Sequence, residues 1–408
     1  MSTPTFTAVL RVAEFRAMWL AEVLSVAGDQ IARVALSVLV FDRTDSAALT
    51  ALTYALTFLP ALVGGVMLSG LGDRHPRRTV MIASDIGRAV LVGLMIVPGM
   101  PLWALCALVA AVTLLNGPFK AAQQALLPDV LTNGKFRVGM ALRNISSQAA
   151  QLAGFAGGGL MVAHWGPFVA LAVNAGTFVA SAALLLLLRR RPAVTPSSKE
   201  GQQSYLSSIA AGAALVFRVP ALRTLLALNW LAGFYVVAEG LAAPYADEIG
   251  AGPAAVGLLM AADPLGSVIG AAIFGRWVSE ETNVRALGLL GIAAGIPLIL
   301  LALKPALIVA LALLALSGAL ATGYHFQTVV QFTERLPDER RAQGTGLASS
   351  GVITVQGLGA LAAGGLADLI GAANAIGVAA VAGVLVAIPI AISWARVRHT
   401  PPVRSAAA

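Results

Sequence analysis

Apolar runs close to twenty residues long recur along almost the whole chain, separated by short clusters of charge, proline and glycine. A helix rises 1.5 Å per residue, so about twenty apolar residues cross the ~30 Å hydrocarbon core of a bilayer. That spacing predicts helices over residues 16–40, 46–69, 79–98, 102–125, 138–163 and 167–188, then 222–245, 254–276, 285–303, 305–328, 342–366 and 371–394. The expected fold is all-α and polytopic, with about twelve transmembrane helices in two six-helix bundles. Arg189, Arg190, Arg191 and Pro192 end the sixth helix, because proline has no backbone N–H to continue it. The expected division is a first bundle over 1–188, a cytoplasmic linker over 189–221, a second bundle over 222–396 and a tail over 397–408. In the linker Leu206, Ile209, Ala213, Val216 and Phe217 recur at helical spacing. They fit either a short amphipathic helix along the inner surface or an extension of the seventh span.

Composition removes the soluble alternatives. Of 408 residues, 58% are hydrophobic and 11% charged, against about a quarter charged in soluble domains, so no water-soluble core fits between the spans. The net charge of +8 raises nucleic acid as a partner, and the placement of the basic residues decides against it. Of the 27 Lys and Arg, Arg43 and Lys304 fall in predicted outer loops and Arg33 within a span, and the other 24 gather at inner loops and helix ends. That is the positive-inside pattern; it places both termini on the cytoplasmic side of the cell (inner) membrane. Arg11 and Arg16 precede the first apolar block without a cleavage site after it, which reads as a retained first span and not a signal peptide. Cys106, the single cysteine, has no intrachain partner and reads as packing. Trp19, Trp103, Trp165, Trp277 and Trp394 fall near span ends, where amphipathic rings prefer to sit, and Trp230 does not.

Shifting the chain on itself by 206 residues superposes Gly64 on Gly270 and Gly158-Gly159-Leu160 on Gly364-Gly365-Leu366. With six spans per half and a polar linker between them, this predicts a parallel repeat whose two bundles rock about a shared cavity.

Between the second and third spans lies the segment Ser69-Gly70-Leu71-Gly72-Asp73-Arg74-His75-Pro76-Arg77-Arg78. It resembles the loop motif G-x-L-x-D-R-x-G-R-[KR] of the major facilitator superfamily, with Leu71, Asp73, Arg74, Arg77 and Arg78 in place and Ser69 and Pro76 departing. Leu24 to Asp29, Phe41 to Ser46, Ser84-Asp85 with Arg88-Ala89, and Ala125 to Val130 are similar to the enterobactin-exporter and macrolide-efflux branch of that superfamily. Gly154-Phe155-Ala156-Gly157-Gly158-Gly159 resembles the antiporter motif G-P-x-x-G-G of drug exporters, with Phe155 where proline is expected. Glycines four apart also let helices approach closely, so Gly154, Gly158 and Gly159 carry a packing reading beside the functional one. The resemblance implies a cytoplasmic gate built on Asp73, Arg74, Arg77 and Arg78, in which the motif's aspartate meets the N-terminus of the eleventh helix, near Arg341 to Gly344. Arg77 with Asp129, and Asp85 with Arg88, are further pairs expected around that gate.

Active transport needs a group that changes protonation, and an ionisable side chain persists in hydrocarbon only beside a cavity or a partner. Asp29 lies near the middle of the first span, with Arg33 one turn on along the same face. Either the two form a standing ion pair, or protonating Asp29 frees Arg33, or substrate displaces the pair. Glu239 in the seventh span occupies the repeat position of Arg33, and Asp263 precedes Pro264, where a broken helical ladder would expose carbonyls to a polar cavity. These four are the expected proton-coupling or substrate residues, with cationic or polar cargo for Glu239 and Asp263. His325 reads as a packed histidine more readily than as a relay. No metal-ligand spacing, nucleophile elbow, phosphate loop or cofactor motif emerges: Gly357-Leu358-Gly359-Ala360-Leu361-Ala362 fits G-x-G-x-x-A but sits inside an apolar span. An enzyme is therefore not expected. The expectation is a monomeric, proton-coupled exporter of small molecules in the lipid bilayer, its cargo running from drugs to siderophores and secondary metabolites. A proton-coupled uptake symporter and a non-transporting sensor or lipid-handling protein are the alternatives.

Overall fold

The computed structural model describes residues 5–67, 75–132, 134–191, 213–337 and 340–399, and those residues contain helices and no strand. Ten of the helices are long and apolar enough to cross a membrane. One of them, Lys135–Leu185, is 51 residues long and is two spans joined at Gly166, whose φ of 80° leaves the helical region just before Pro167. A further helix, Arg77–Met95, is amphipathic and charged, and it takes the place of the third span. The protein is thus an all-α, multi-pass membrane protein with about twelve crossing segments among the described residues.

The first span is Ala13–Thr44, ended by Asp45 in the left-handed conformation. The fourth is Leu102–Val130, after Pro101. The eighth to twelfth are Pro253–Trp277, Glu280–Leu300, Leu307–Arg335, Arg341–Ile370 and Ala372–Val397. Two predicted helices depart from the expectation. The second divides into Ala47–Ala55 and Leu59–Met67. Pro60 cannot donate to the carbonyl four residues back, and the Thr57 N–H and hydroxyl turn instead to Tyr54 O at 2.9 and 2.8 Å. The seventh comes in four pieces, Pro220–Trp230, Ala232–Tyr235, Val237–Gly240 and Ala242–Glu248. By contrast the eighth runs unbroken through Pro264, so the proline beside Asp263 does not divide the helix, although it has no N–H to give to the carbonyl four residues back.

The chain clusters into two compact units. Unit 1 comprises 1–45, 53–197 and 252–261; unit 2 comprises 46–52, 198–251 and 262–408. Unit 1 packs the first span along the 135–185 helix, and the third against the fourth and that same helix. Phe15, Met18, Met81, Phe119 and Leu126 are buried in its core. In unit 2 the ninth span packs between the tenth and twelfth, around Leu222, Leu225, Leu287, Tyr324 and Trp394. Trp394 is 1% exposed and donates to Val284 O at 2.7 Å, so it is a core residue and not the interfacial one expected from its position near a span end. Trp103, Trp165 and Trp277 are exposed, as interfacial rings are. Residues 213–218 are helical, with Val216 fully buried in the core of unit 2, while Leu206 and Ile209 lie outside the described residues.

The repeat reappears in the glycine contacts. A Cβ on Gly64 would strike the backbone of Leu114, and one on Gly270 the backbone of Ala319. A Cβ on Gly154 would strike Ala27, and one on Gly359 would strike Gly233, the residue 206 places beyond Ala27. Gly64 and Gly270 correspond under the shift of 206, and Gly359 lies one residue short of the position that corresponds to Gly154, so each unit packs corresponding helices through glycines at or next to corresponding positions. The first of these contacts is directly testable. A Cβ at Gly154 would sit 2.5 Å from Ala27 O, whereas one at Gly157 meets nothing within 4 Å. Gly154→Val is expected to cost about 1–3 kcal/mol through overpacking, lowering the melting temperature of the detergent-purified protein, while Gly157→Ala leaves it unchanged.

Candidate functional site

The charged residues of unit 1 sort into closed pairs and open ones. Asp85 and Arg88, 0% and 1% exposed, form an ion pair on the third span. Ser181 donates to the second Asp85 oxygen at 2.6 Å, and the Arg88 guanidinium lies between the rings of Phe119 and Phe178, at 4.6 and 4.4 Å. Glu22 receives two bonds from Arg143, at 2.5 and 2.7 Å, and Arg143 also donates to Gln123 at 2.9 Å. Both pairs are internally neutral.

Asp29, Arg33 and Lys120 are different. Two adjoining hollows of about 880 and 520 Å³ share Asp29, Arg33 and Asn116 in their walls. The larger is also lined by Lys120, Glu22, Gln148 and Gln151, and the smaller by Thr57, Thr113 and Asn174. Asp29 stands 16 residues beyond Ala13, roughly 24 Å along the first span. Its carboxylate has no hydrogen bond and no ion pair within 4 Å among the described residues, although Arg33, Arg88 and Lys120 lie within its electrostatic reach. The standing Asp29–Arg33 pair is therefore not formed: Arg33 lies over the Phe58 ring at 4.7 Å, where the break in the second span presents that ring. Lys120, on the fourth span, opens toward the hollow without a hydrogen-bonding partner among the described residues.

The described motif residues, Arg77 and Arg78, begin the third span. Arg77 donates to Asp129 at 2.8 Å and to Ala125 O at 2.6 Å. Arg78 donates to Leu185 O and Leu186 O at 3.2 and 2.6 Å, placing a cation on the carbonyls that end the sixth span, where the helix dipole is negative. Asp73 and Arg74 lie outside the described residues. Nearby, Glu14 accepts from Arg191 at 2.9 and 3.0 Å and from the Arg189 N–H at 2.8 Å. The antiporter-like glycines divide between two faces: Gly154 and Gly158 lie on Ala27 and Ile31 of the first span, whereas Gly159 backs onto Gly257.

In unit 2, Asp263 is half-buried, within electrostatic reach of Glu239 and Tyr324, and has no hydrogen bond or ion pair among the described residues. His325 lines a separate hollow of about 710 Å³ with Asn229, Thr328 and a mostly apolar wall from the seventh, tenth and eleventh spans.

Sequence reasoning missed Glu22, Lys120 and Arg143. Lys120 and Arg143 lie a few residues inside predicted span ends and were counted with the cations there, and Glu22 was not singled out. Inside the bundle Glu22 and Arg143 pair with each other, and Lys120 lines the hollow. Arg88 was likewise counted among the helix-end cations. A lysine or arginine still inside an apolar run, as at Lys120, was the available signal.

The chain matches the family model of the Major Facilitator Superfamily over residues 18–242 and 233–408. It is 27% identical over 368 residues to the multidrug efflux pump Tap of Mycolicibacterium fortuitum, covering 85% of this chain and 87% of that protein. With Tap of Mycobacterium tuberculosis (strain ATCC 25618 / H37Rv) it shares 28% over 377 residues, 86% of each. It is also 29% identical over 224 residues to the uncharacterized MFS-type transporter YfiS of Bacillus subtilis (strain 168), spanning about half, 53%, of that relative. Among solved structures, the nucleoside transporter NupG superposes with a TM-score of 0.74 at 11% identity, over 93% of this chain and 99% of that one. A bacterial homologue of the iron transporter ferroportin gives 0.67 at 18% identity, over 95% and 99%. With a family model matched along nearly the whole chain and this fold beneath it, the chain belongs to the Major Facilitator Superfamily and is a membrane transporter, not an enzyme.

Proposed function

We propose that the chain is a proton-coupled exporter of small molecules, an antiporter of the enterobactin-exporter and macrolide-efflux-like branch that works by alternating access of its two bundles. The observation that carries this is the carboxylate of Asp29, mid-span, open to a polar hollow and free of hydrogen bonds and ion pairs among the described residues. Such a group is stable in hydrocarbon when protonated and binds a cationic or polar substrate when ionised, so proton and cargo exclude one another. The similarity to the Tap multidrug efflux pumps supports export. Asp263, with Glu239 in reach, is the corresponding group proposed for unit 2. Asp73, Arg74, Arg77 and Arg78, together with Asp129, Asp85 and Arg88, are proposed as the cytoplasmic gate. The protein acts as a monomer in the cytoplasmic membrane, with both termini inside.

Inside-out vesicles with an acidic lumen test this directly. A panel of lipophilic drugs and siderophores is expected to yield at least one compound that accumulates in the lumen, and collapsing the pH gradient is expected to release it. Accumulation only under the reverse gradient would mean symport, and none under either gradient would remove the transport proposal.

A further inference from the structure

The exchange proposed at Asp29 makes no use of Lys120, yet Lys120 lines the same hollow. The charges of unit 1 within the spans leave a remainder: Glu22 with Arg143 and Asp85 with Arg88 each cancel. What faces the hollow uncancelled is one carboxylate, Asp29, and two cations, Arg33 and Lys120. None of the three has a hydrogen-bonding or ion-pairing partner among the described residues, and Arg33 is held by the face of Phe58 with its N–H groups unspent. Around them stand side-chain amides and hydroxyls, among them Asn116, Gln148, Gln151 and Ser147. Unpaired charges of both signs inside a bilayer are retained where something pairs with them in the working cycle.

Resting on the exporter reading, we propose that the cargo is a zwitterion: a basic nitrogen set against Asp29, an acidic group set against Lys120 and Arg33, and an apolar body between them. The three simpler cargo types fit less well. A cation alone leaves Lys120 and Arg33 unpaired. An anion alone binds better when Asp29 is protonated, so proton and cargo travel together, the opposite of antiport. A neutral molecule leaves all three charges unanswered. A zwitterion competes with the proton through its nitrogen and gains its selectivity through its acid. Lys120 is then a specificity-determining residue, separate from the coupling residue.

The test is equilibrium binding to the purified full-length protein in nanodiscs. The probes are a piperazinyl quinolone carboxylic acid and an amphiphilic α-amino acid, each compared with its methyl ester and its N-acetyl derivative. The zwitterions are expected to bind at least about tenfold more tightly than either blocked form, the loss of one ion pair in a desolvated site. Lys120→Gln is expected to erase the preference for acid over ester and to keep the preference for free amine over N-acetyl. Asp29→Asn is expected to do the reverse, and Lys120→Arg to retain both preferences, which separates a charge requirement from damage to the fold. If Lys120→Gln does not yield folded protein, the wild-type comparison and Lys120→Arg decide alone. Esters that bind as tightly as acids, an acid preference that survives Lys120→Gln, or failure of all six probes to bind would overturn the proposal. A binding pattern as expected, together with no gradient-driven accumulation in vesicles, would sink the exporter reading and leave the charge assignment standing.

Discussion

Asp29→Asn is expected to abolish pH-gradient-driven accumulation, down to the level of empty vesicles, while the purified protein keeps its melting temperature. The two halves of that result come from the same observation. Asparagine is nearly isosteric with aspartate and cannot change its protonation, so a cycle that loads a proton at this position has nothing to load. Asp29 donates and accepts no hydrogen bond and joins no ion pair among the described residues, so the substitution removes no structural contact. Asp29→Glu keeps the ionisable group, one methylene displaced, and is expected to retain gradient-driven transport at a reduced rate. Full activity in Asp29→Asn would mean that the coupling group lies elsewhere, with Asp263 the next residue to test.

The sequence made the architecture legible because the signal for a membrane-crossing helix is long and coarse. Eleven of the twelve predicted spans have the observed helices at their centres despite shifts of several residues at the ends. The breaks were harder. Pro60 divides the second span while Pro264 leaves the eighth intact, and nothing local distinguishes them. The outcome at each proline is set by the surrounding bundle and not by the local sequence. The site was legible in part. Asp29 and Arg33 were found because charge inside an apolar run is conspicuous, but their one-turn spacing suggested a pair that does not form. Arg33 has a better neighbour in Phe58, which becomes available because the second span breaks. Lys120 and Arg143 escaped because, although inside the predicted spans, they were counted with the cations at helix ends, and Glu22 because a carboxylate six residues into a span does not reveal its partner 121 residues away. Only the packed bundle reveals which charges cancel and which remain.

The largest effect on stability is expected at Asp85. Its carboxylate and the Arg88 guanidinium are sealed from solvent, and the guanidinium is closed on both faces by Phe119 and Phe178. Removing one partner of a buried pair strands the other, at a cost of about 3–5 kcal/mol. Asp85→Ala leaves Arg88 with Ser25, a long bond at 3.5 Å, and with the two rings, and it also takes the acceptor from Ser181. The Arg88 Nε already lacks a partner, so the site has no spare acceptor to offer. The variant should therefore express poorly and melt well below wild type. Asp85→Asn should fall between the two, because the amide oxygen still accepts from Arg88 while the neutral group no longer balances its charge. The decisive comparison is Asp85→Leu with Arg88→Met, which removes both charges and refills the space with apolar atoms. Replacing a whole buried pair in this way is commonly neutral or stabilising, so the double variant should melt near or above wild type although each single variant melts below it. A double variant as unstable as Asp85→Ala would mean that the shape of the Arg88 side chain between its two rings, and not the cancellation of charge, holds the third span to the fourth and sixth.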